Sequence, residues 1–195
     1  MGHSQAEKAE THQRIVDVAA RRFRELGLEG ISVADIMKEA GMTVGGFYKH
    51  FASRDDLVVE ALAAVFAENE NSELVSQPTL KKSIQTYLSE KHRDDLHSSC
   101  GVSSLVSELP RSSDDAREVF TERVMKSVSL LEGQISSEIE GNHRAQAMLI
   151  YSAMVGAIGM SRAVADTKLS RQILQSVAAE LIALFSPKSS PSSNG

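Results

Sequence analysis

One stretch limits the folds open to this chain more than any other: SVADIMKEAGMTVGGFYKHFASRDDL, residues 32–57. Ser32 stands where an N-cap belongs for a short helix over 33–40, and Asp35, three residues on, can reach back in the manner of a capping box. Gly41 then breaks the helix, Met42 supplies an apolar residue for the turn, and Thr43 offers the cap of a further helix running to about Phe51. Two short helices joined by a tight glycine turn make a helix-turn-helix. Before it, Ile15, Val18, Ala19, Phe23 and Leu26 recur at helical spacing over 11–26, with Gly27 as the stop. After it, Ser53 caps again and Asp55 and Asp56 sit in a first turn, where the helix dipole favours acids. Leu57, Val58, Ala61, Leu62, Val65 and Phe66 form that helix's buried side.

Inside the motif, Gly45 and Gly46 are adjacent, although a glycine within a helix costs about 0.8 to 1 kcal/mol relative to alanine. A backbone that must press closely on another molecule accounts for the pair. The residues that follow suit the wall of a DNA groove, where hydroxyls and cations hold phosphates while the start of a helix meets base edges. Thr43 and Tyr48 bring hydroxyl donors, Lys49 and His50 bring cationic or donor tips, and Arg54 adds a second phosphate anchor. Phe47 and Phe51, four apart, share a helix face and are expected in the core.

The rest of the chain reads as helix too. Only four prolines and twelve glycines punctuate 195 residues, tryptophan is absent, and an all-α protein is expected. Helices are predicted near 79–92, 102–109, 113–139, 143–165 and 169–186. Net charge is −5, and the first 57 residues carry eight Lys or Arg against nine Asp or Glu, so DNA binding must rest on local placement. The single cysteine excludes an intramolecular disulfide, and the polar MGHSQAEKAE start lacks the pattern of a secretory leader, so a cytoplasmic location is expected. The uncharged run 145–161 falls short of the roughly 20 apolar residues of a membrane span.

The stretch ISVADIMKEAGMTVGGFYKHFASRDDLVVEAL, preceded by RIVDVAARRFRELGLEG, resembles the TetR family of bacterial transcriptional regulators over roughly residues 11–62. The specific part is G-x-T-x-G-x-F-Y-x-H-F followed by S-x-D-x-L. The resemblance implies an all-helical homodimer whose subunits each join a three-helix DNA-binding head to a larger body holding a small-molecule pocket and the dimer interface. It implies that an inducer bound in the body changes the separation of the heads and releases a pseudopalindromic operator. Thr43, Tyr48, Lys49, His50 and Arg54 fall where the family contacts DNA, and Ser32 where the second helix touches a phosphate. Relatives often carry lysine at the position of Val44, whose apolar side chain here can meet a thymine methyl instead. The implied division is an N-terminal arm (1–10), a DNA-binding domain (11–56), a ligand-binding and dimerisation domain (57–186) and a tail (187–195).

In the body, AQAMLIYSAMVGAIGMSRAVA is apolar on nearly every face, which in a soluble helix means burial on more than one side. Gly156 and Gly159 leave a flat patch, and Ile173, Val177, Leu181 and Leu184 form a stripe on the last helix; together they suggest a four-helix interface between two copies. Tyr87, Phe120, Met125, Met148, Tyr151 and Met154 are candidates to line a cavity for an apolar or aromatic ligand. Cys100 is a candidate redox or electrophile sensor because a helix is expected to start just after it. His92, His97 and Cys100 fit no zinc spacing, so no metal and no cofactor is expected. No G-x-S-x-G elbow, Walker loop, H-E-x-x-H pair or dinucleotide fingerprint occurs, which argues against an enzyme. The competing readings are a helical adaptor and a redox-responsive regulator acting through Cys100.

Overall fold

The computed structural model describes residues 5–70, 77–95 and 100–186, and every regular element among them is helical. The expected tail, the first four residues of the arm, residues 71–76 and His97 lie outside the described residues. The helices are α1 (Gln5–Leu26), α2 (Val33–Glu39), α3 (Arg54–Glu70), α4 (Leu80–Tyr87), α5 (Glu90–Asp94), α6 (Gly101–Leu105), α7 (Asp114–Gln134), α8 (His143–Ala163) and α9 (Thr167–Phe185). The chain groups into two compact units, residues 1–71 with 95–124 and residues 72–94 with 125–195, so the division falls inside α7.

In the first unit, α1 packs on α3 and α2 through Ile15, Ala19, Phe23, Ile36, Met37, Leu57 and Leu62, all withdrawn from solvent. Helix α1 begins at Gln5, within the stretch expected to be an arm, and stops at Gly27, whose φ of 80° places it in the left-handed region. Helix α2 ends in a Schellman arrangement: Met42 N–H donates to the Met37 carbonyl and Gly41 N–H to that of Lys38, with Gly41 at φ 76°. The Ser32 hydroxyl accepts from Asp35 N–H at 3.1 Å and donates to the Asp35 carboxylate at 2.6 Å, so Asp35 answers the side chain rather than the backbone of its cap.

After the turn the chain departs from expectation. Instead of an α-helix over 43–51, Val44–Lys49 forms a 3₁₀ helix, and Thr43 makes no side-chain capping bond. Two consecutive glycines weaken α-helix propagation over so short a run, and the tighter 3₁₀ winding still brings Phe47 and Phe51 onto one side, stacked at 5.4 Å. Ser53 and Asp56 then form a full capping box. Asp56 N–H donates to the Ser53 hydroxyl, and the Asp56 carboxylate accepts from Ala52 N–H and Ser53 N–H. Helix α6 packs against α1 and α3, so tightly that a Cβ at Gly101 would overlap Val65.

In the second unit, α8 pairs with α9, α4 packs on α9 and α5 on α8. The helix expected over 79–92 is two, because the Ser89 hydroxyl donates to the Thr86 carbonyl and accepts from His92 N–H, ending one helix and capping the next. The helix expected over 102–109 shortens to α6 followed by a 3₁₀ turn at Leu109–Arg111, where Pro110 cannot continue the ladder. Arg162 closes the end of α5 by donating to the carbonyls of His92 and Arg93 at 3.1 and 2.9 Å. Asn142 and Asp166 cap α8 and α9 through their side chains. No helix among the described residues is long and apolar enough to cross a membrane.

Candidate nucleic-acid interface

The surface beside the 3₁₀ helix is built from a buried aromatic base upward. The His12 ring of α1 stacks on Phe51 at 4.5 Å and is tied to Glu60 of α3 by a 2.5 Å hydrogen bond. Phe51 stacks on Phe47, and Tyr48, a residue 76% exposed, stands edge-on to Phe47. Anchoring the two phenylalanines therefore pushes Tyr48 outward, together with exposed Thr43, Val44, Gly45 and Lys49. Ser32 is exposed as well, but its hydroxyl is committed to Asp35.

Neither glycine of the pair is demanded by the chain itself. Neither has a positive φ, a Cβ on Gly45 would meet nothing within 4 Å, and one on Gly46 would make only ordinary contacts, the nearest at 3.8 Å. Gly41, by contrast, is required by its left-handed backbone.

Electrostatics sort the cations of this unit into two groups. Arg21 and Arg22 hold Glu39, with Arg22 also on Glu25 at 2.6 Å, and the Arg22 contact keeps the Glu39 carboxyl below the usual range. Arg54 donates to the Leu28 carbonyl and reaches Glu29 at 3.2 Å, so it braces the turn after α1 instead of standing free. Lys8, Lys38 and Lys49 have no ion-pair partner among the described residues. The acidic tally of residues 1–57 thus conceals a local positive surface, because the arginines are neutralised from within. His50 is held below its ordinary value, first by burial and then by the positive charges of His12, Lys8 and Lys49, so at neutral pH it is an uncharged donor or acceptor and not a cation.

An open groove of about 540 Å³ is lined by Glu7, Lys8, Thr11, Met42, Lys49 and His50. Lys8 and Thr11 were not singled out from the sequence; the clue to them is the start of α1 at Gln5, inside the supposed arm.

The other expected sites are scattered. Tyr87, Tyr151 and Met154 are buried in the second unit, whereas Met125 and Met148 of that unit are about half exposed. Phe120 and Cys100 belong to the first unit. Phe120 is half-buried against Phe66 at 6.2 Å, and Cys100, 4% exposed, directly precedes the five-residue α6. His92 is buried with Nδ1 2.6 Å from the Tyr87 carbonyl, and no cluster of three metal-ligating side chains forms among the described residues. On α8 and α9, Gly156 and Leu184 are exposed, Gly159, Ile173 and Val177 are half-buried, and Leu181 is buried within its own unit.

Comparison with known proteins agrees with this geometry. Residues 15–61 match the family described as bacterial regulatory proteins, tetR family. The HTH-type transcriptional regulator AcrR of Shigella flexneri is 44% identical over 54 residues, 28% of this chain and 25% of that protein. An HTH-type transcriptional regulator of Staphylococcus aureus strain USA300 is 44% identical over 48 residues, 25% of this chain and 26% of that protein. The match thus spans about a quarter of these relatives' length. In fold, the chain is similar to reduced NemR of E. coli, with TM-score 0.75 and 17% identity, covering 93% of this chain and all of that one. A TetR-family regulator from Cytophaga hutchinsonii gives TM-score 0.75 and 17% identity over 96% of this chain. Helix-turn-helix, matching residues and all-helical architecture coincide: residues 15–61 form a segment of the tetR family of bacterial regulatory proteins, carried in a chain whose helical fold is similar to that of solved TetR-family regulators.

Proposed function

We propose that the protein is a ligand-responsive repressor that binds a pseudopalindromic operator as a homodimer and is released by a small-molecule inducer. The observation that carries the DNA-binding part is the 3₁₀ surface. Gly45 is exposed with no internal reason to be glycine, and it is flanked by outward-facing Thr43, Val44, Tyr48 and Lys49. A backbone bare of Cβ beside hydroxyl and ammonium tips suits close approach to a groove wall. Lys8 and Thr11 extend the phosphate-facing side, while Arg54 positions the turn after α1.

Pairing of two copies is supported by the apolar surface left on α8 and α9, where Met148, Leu149, Met160, Leu169 and Leu184 are exposed beside Gly156 and Gly159, at which an added Cβ would meet nothing within 4 Å. Two such faces meeting as a four-helix arrangement would cover them. The burial of Cys100 favours neither reactivity nor a redox switch.

The test is selection of fragmented bacterial genomic DNA by the purified protein at several salt concentrations, with Tyr48→Ala as the comparison. One motif with two-fold symmetry, surviving moderate salt and lost with Tyr48→Ala at unchanged melting temperature, is expected. Recovery of only salt-sensitive, motif-free DNA would replace this reading with the helical adaptor.

A further inference from the structure

His50 ends the 3₁₀ helix and lines the open groove of about 540 Å³ together with Lys8, Thr11, Lys49, Met42 and Glu7. Positive and titratable groups reach its half-buried ring from two elements: Lys8 and His12 from α1, and Lys49 from the 3₁₀ helix itself. The His12 ring lies 5.9 Å away, centroid to centroid. The turn after α2 contributes Met42, which carries no charge. Glu60 of α3 is taken by His12 at 2.5 Å, and one acid, Glu7, lines the groove against the two lysines. No hydrogen-bond partner meets the His50 ring among the described residues, and its Nδ1 is buried.

In the free protein burial, and then these positive neighbours, hold His50 below its ordinary value of 6.5. A DNA phosphate entering the groove reverses the second cause. It offsets the field of the lysines, and an opposite charge within ~4–6 Å favours the charged form of an imidazole. A hydrogen bond from imidazolium to phosphate is also charge-assisted, roughly twice as strong as one from the neutral ring. Linkage is reciprocal: a ligand that strengthens proton binding is itself held more tightly when the proton is present.

We infer that operator DNA and a proton bind together at this groove, His50 taking up the proton as a phosphate settles between Lys8 and Lys49, so that acidification tightens DNA binding. This rests on the reading above that the 3₁₀ surface meets DNA, and it adds a control that needs no small molecule. Affinity is level at alkaline pH, where His50 is neutral both free and bound. It rises as pH falls through the pKa of the bound state. Below the pKa of the free protein it levels again, because the ring is then charged before DNA arrives.

The test is fluorescence anisotropy of the full chain on the selected operator, from about pH 8 to about pH 5.5 at constant ionic strength. In parallel, the ring C–H resonance of His50 is titrated by NMR in the free and the bound protein. One group supplies at most about a tenfold change per pH unit, and a gain of about three- to tenfold over the whole range is expected. The His50 midpoint should move to higher pH on DNA, and His50→Gln, which cannot take up the proton, should lose most of the gain. The inference is overturned if affinity is flat over the range, if the gain survives in His50→Gln, or if the His50 midpoint does not move. The midpoint is read on the unaltered protein, so a poorly folded variant leaves the test intact. If no operator is recovered, a duplex of about 20 arbitrary base pairs at low salt is the probe, since phosphate contacts persist without base reading. A proton-linked gain on that duplex without a selected motif would retire the operator reading alone. A selected motif bound without such a gain would retire the His50 linkage alone, and failure to bind either DNA would retire both.

Discussion

Replacing Gly45 with alanine separates folding from DNA binding. In the free chain the new methyl meets nothing within 4 Å, and Gly45 does not occupy the left-handed region, so the substitution adds neither a clash nor strain. What changes is the unfolded chain, which loses backbone freedom, and Gly→Ala at such a compatible site stabilises by about 0.4 to 1 kcal/mol. At about 2 to 4 °C per kcal/mol for a chain of this size, the melting temperature should rise by about 1 to 4 °C. On DNA the same methyl stands where the backbone approaches the groove, and a separation enforced there should weaken operator binding by at least about tenfold, or about 1.4 kcal/mol. Gly41→Ala is the control. Its φ of 76° makes alanine costly by about 1 to 2 kcal/mol, so it should melt lower. The assay is thermal melting of both variants beside fluorescence anisotropy on the selected operator. A Gly45→Ala protein that binds DNA as tightly as the parent would refute the close-approach argument, and one that melts lower would show an internal role for the glycine.

Three further outcomes follow from the same geometry. Lys49→Ala should weaken binding to all sequences and lower the slope of log K against log salt by about 0.9, since one phosphate contact is lost; an unchanged slope would remove Lys49 from the phosphate set. Because the folded protein holds the His50 pKa below 6.5, the unfolded chain takes up the proton first on acidification. Stability from this group is complete above about pH 6.5 and declines as pH falls from there toward the folded pKa. His50→Gln should flatten that part of a urea-midpoint profile, and an identical profile would refute the assignment. Glu108 accepts Leu28 N–H at 2.8 Å and fills the space over Gly27, so Glu108→Ala should cost about 1 to 3 kcal/mol in urea denaturation, and no loss would mean that water satisfies the turn equally well.

Much of the first unit was legible because its determinants are local. The stop at Gly27, the turn at Gly41, the Ser32 and Ser53 caps and the buried side of α3 each depend on residues within about four positions of one another, the range over which a helix pattern is written. Where two local preferences competed, the reading failed. The double glycine turned an expected α-helix into a 3₁₀ helix, and Ser89 used its hydroxyl to divide one expected helix into two. The outward position of Tyr48 was legible indirectly, because Phe47 and Phe51 had to face the core.

By itself, then, the sequence determined the helical class, the helix-turn-helix and the residues that its short-range geometry turns outward. Only the tertiary structure decided which charges are spent and which are free. Arg54 is held by Leu28 and Glu29, 26 and 25 residues away, and Glu108 reaches back 80 residues to Leu28. The physical reason is that a helical period assigns a side chain to a face, whereas the partner waiting at that face comes from distant chain whose arrival depends on packing rather than spacing.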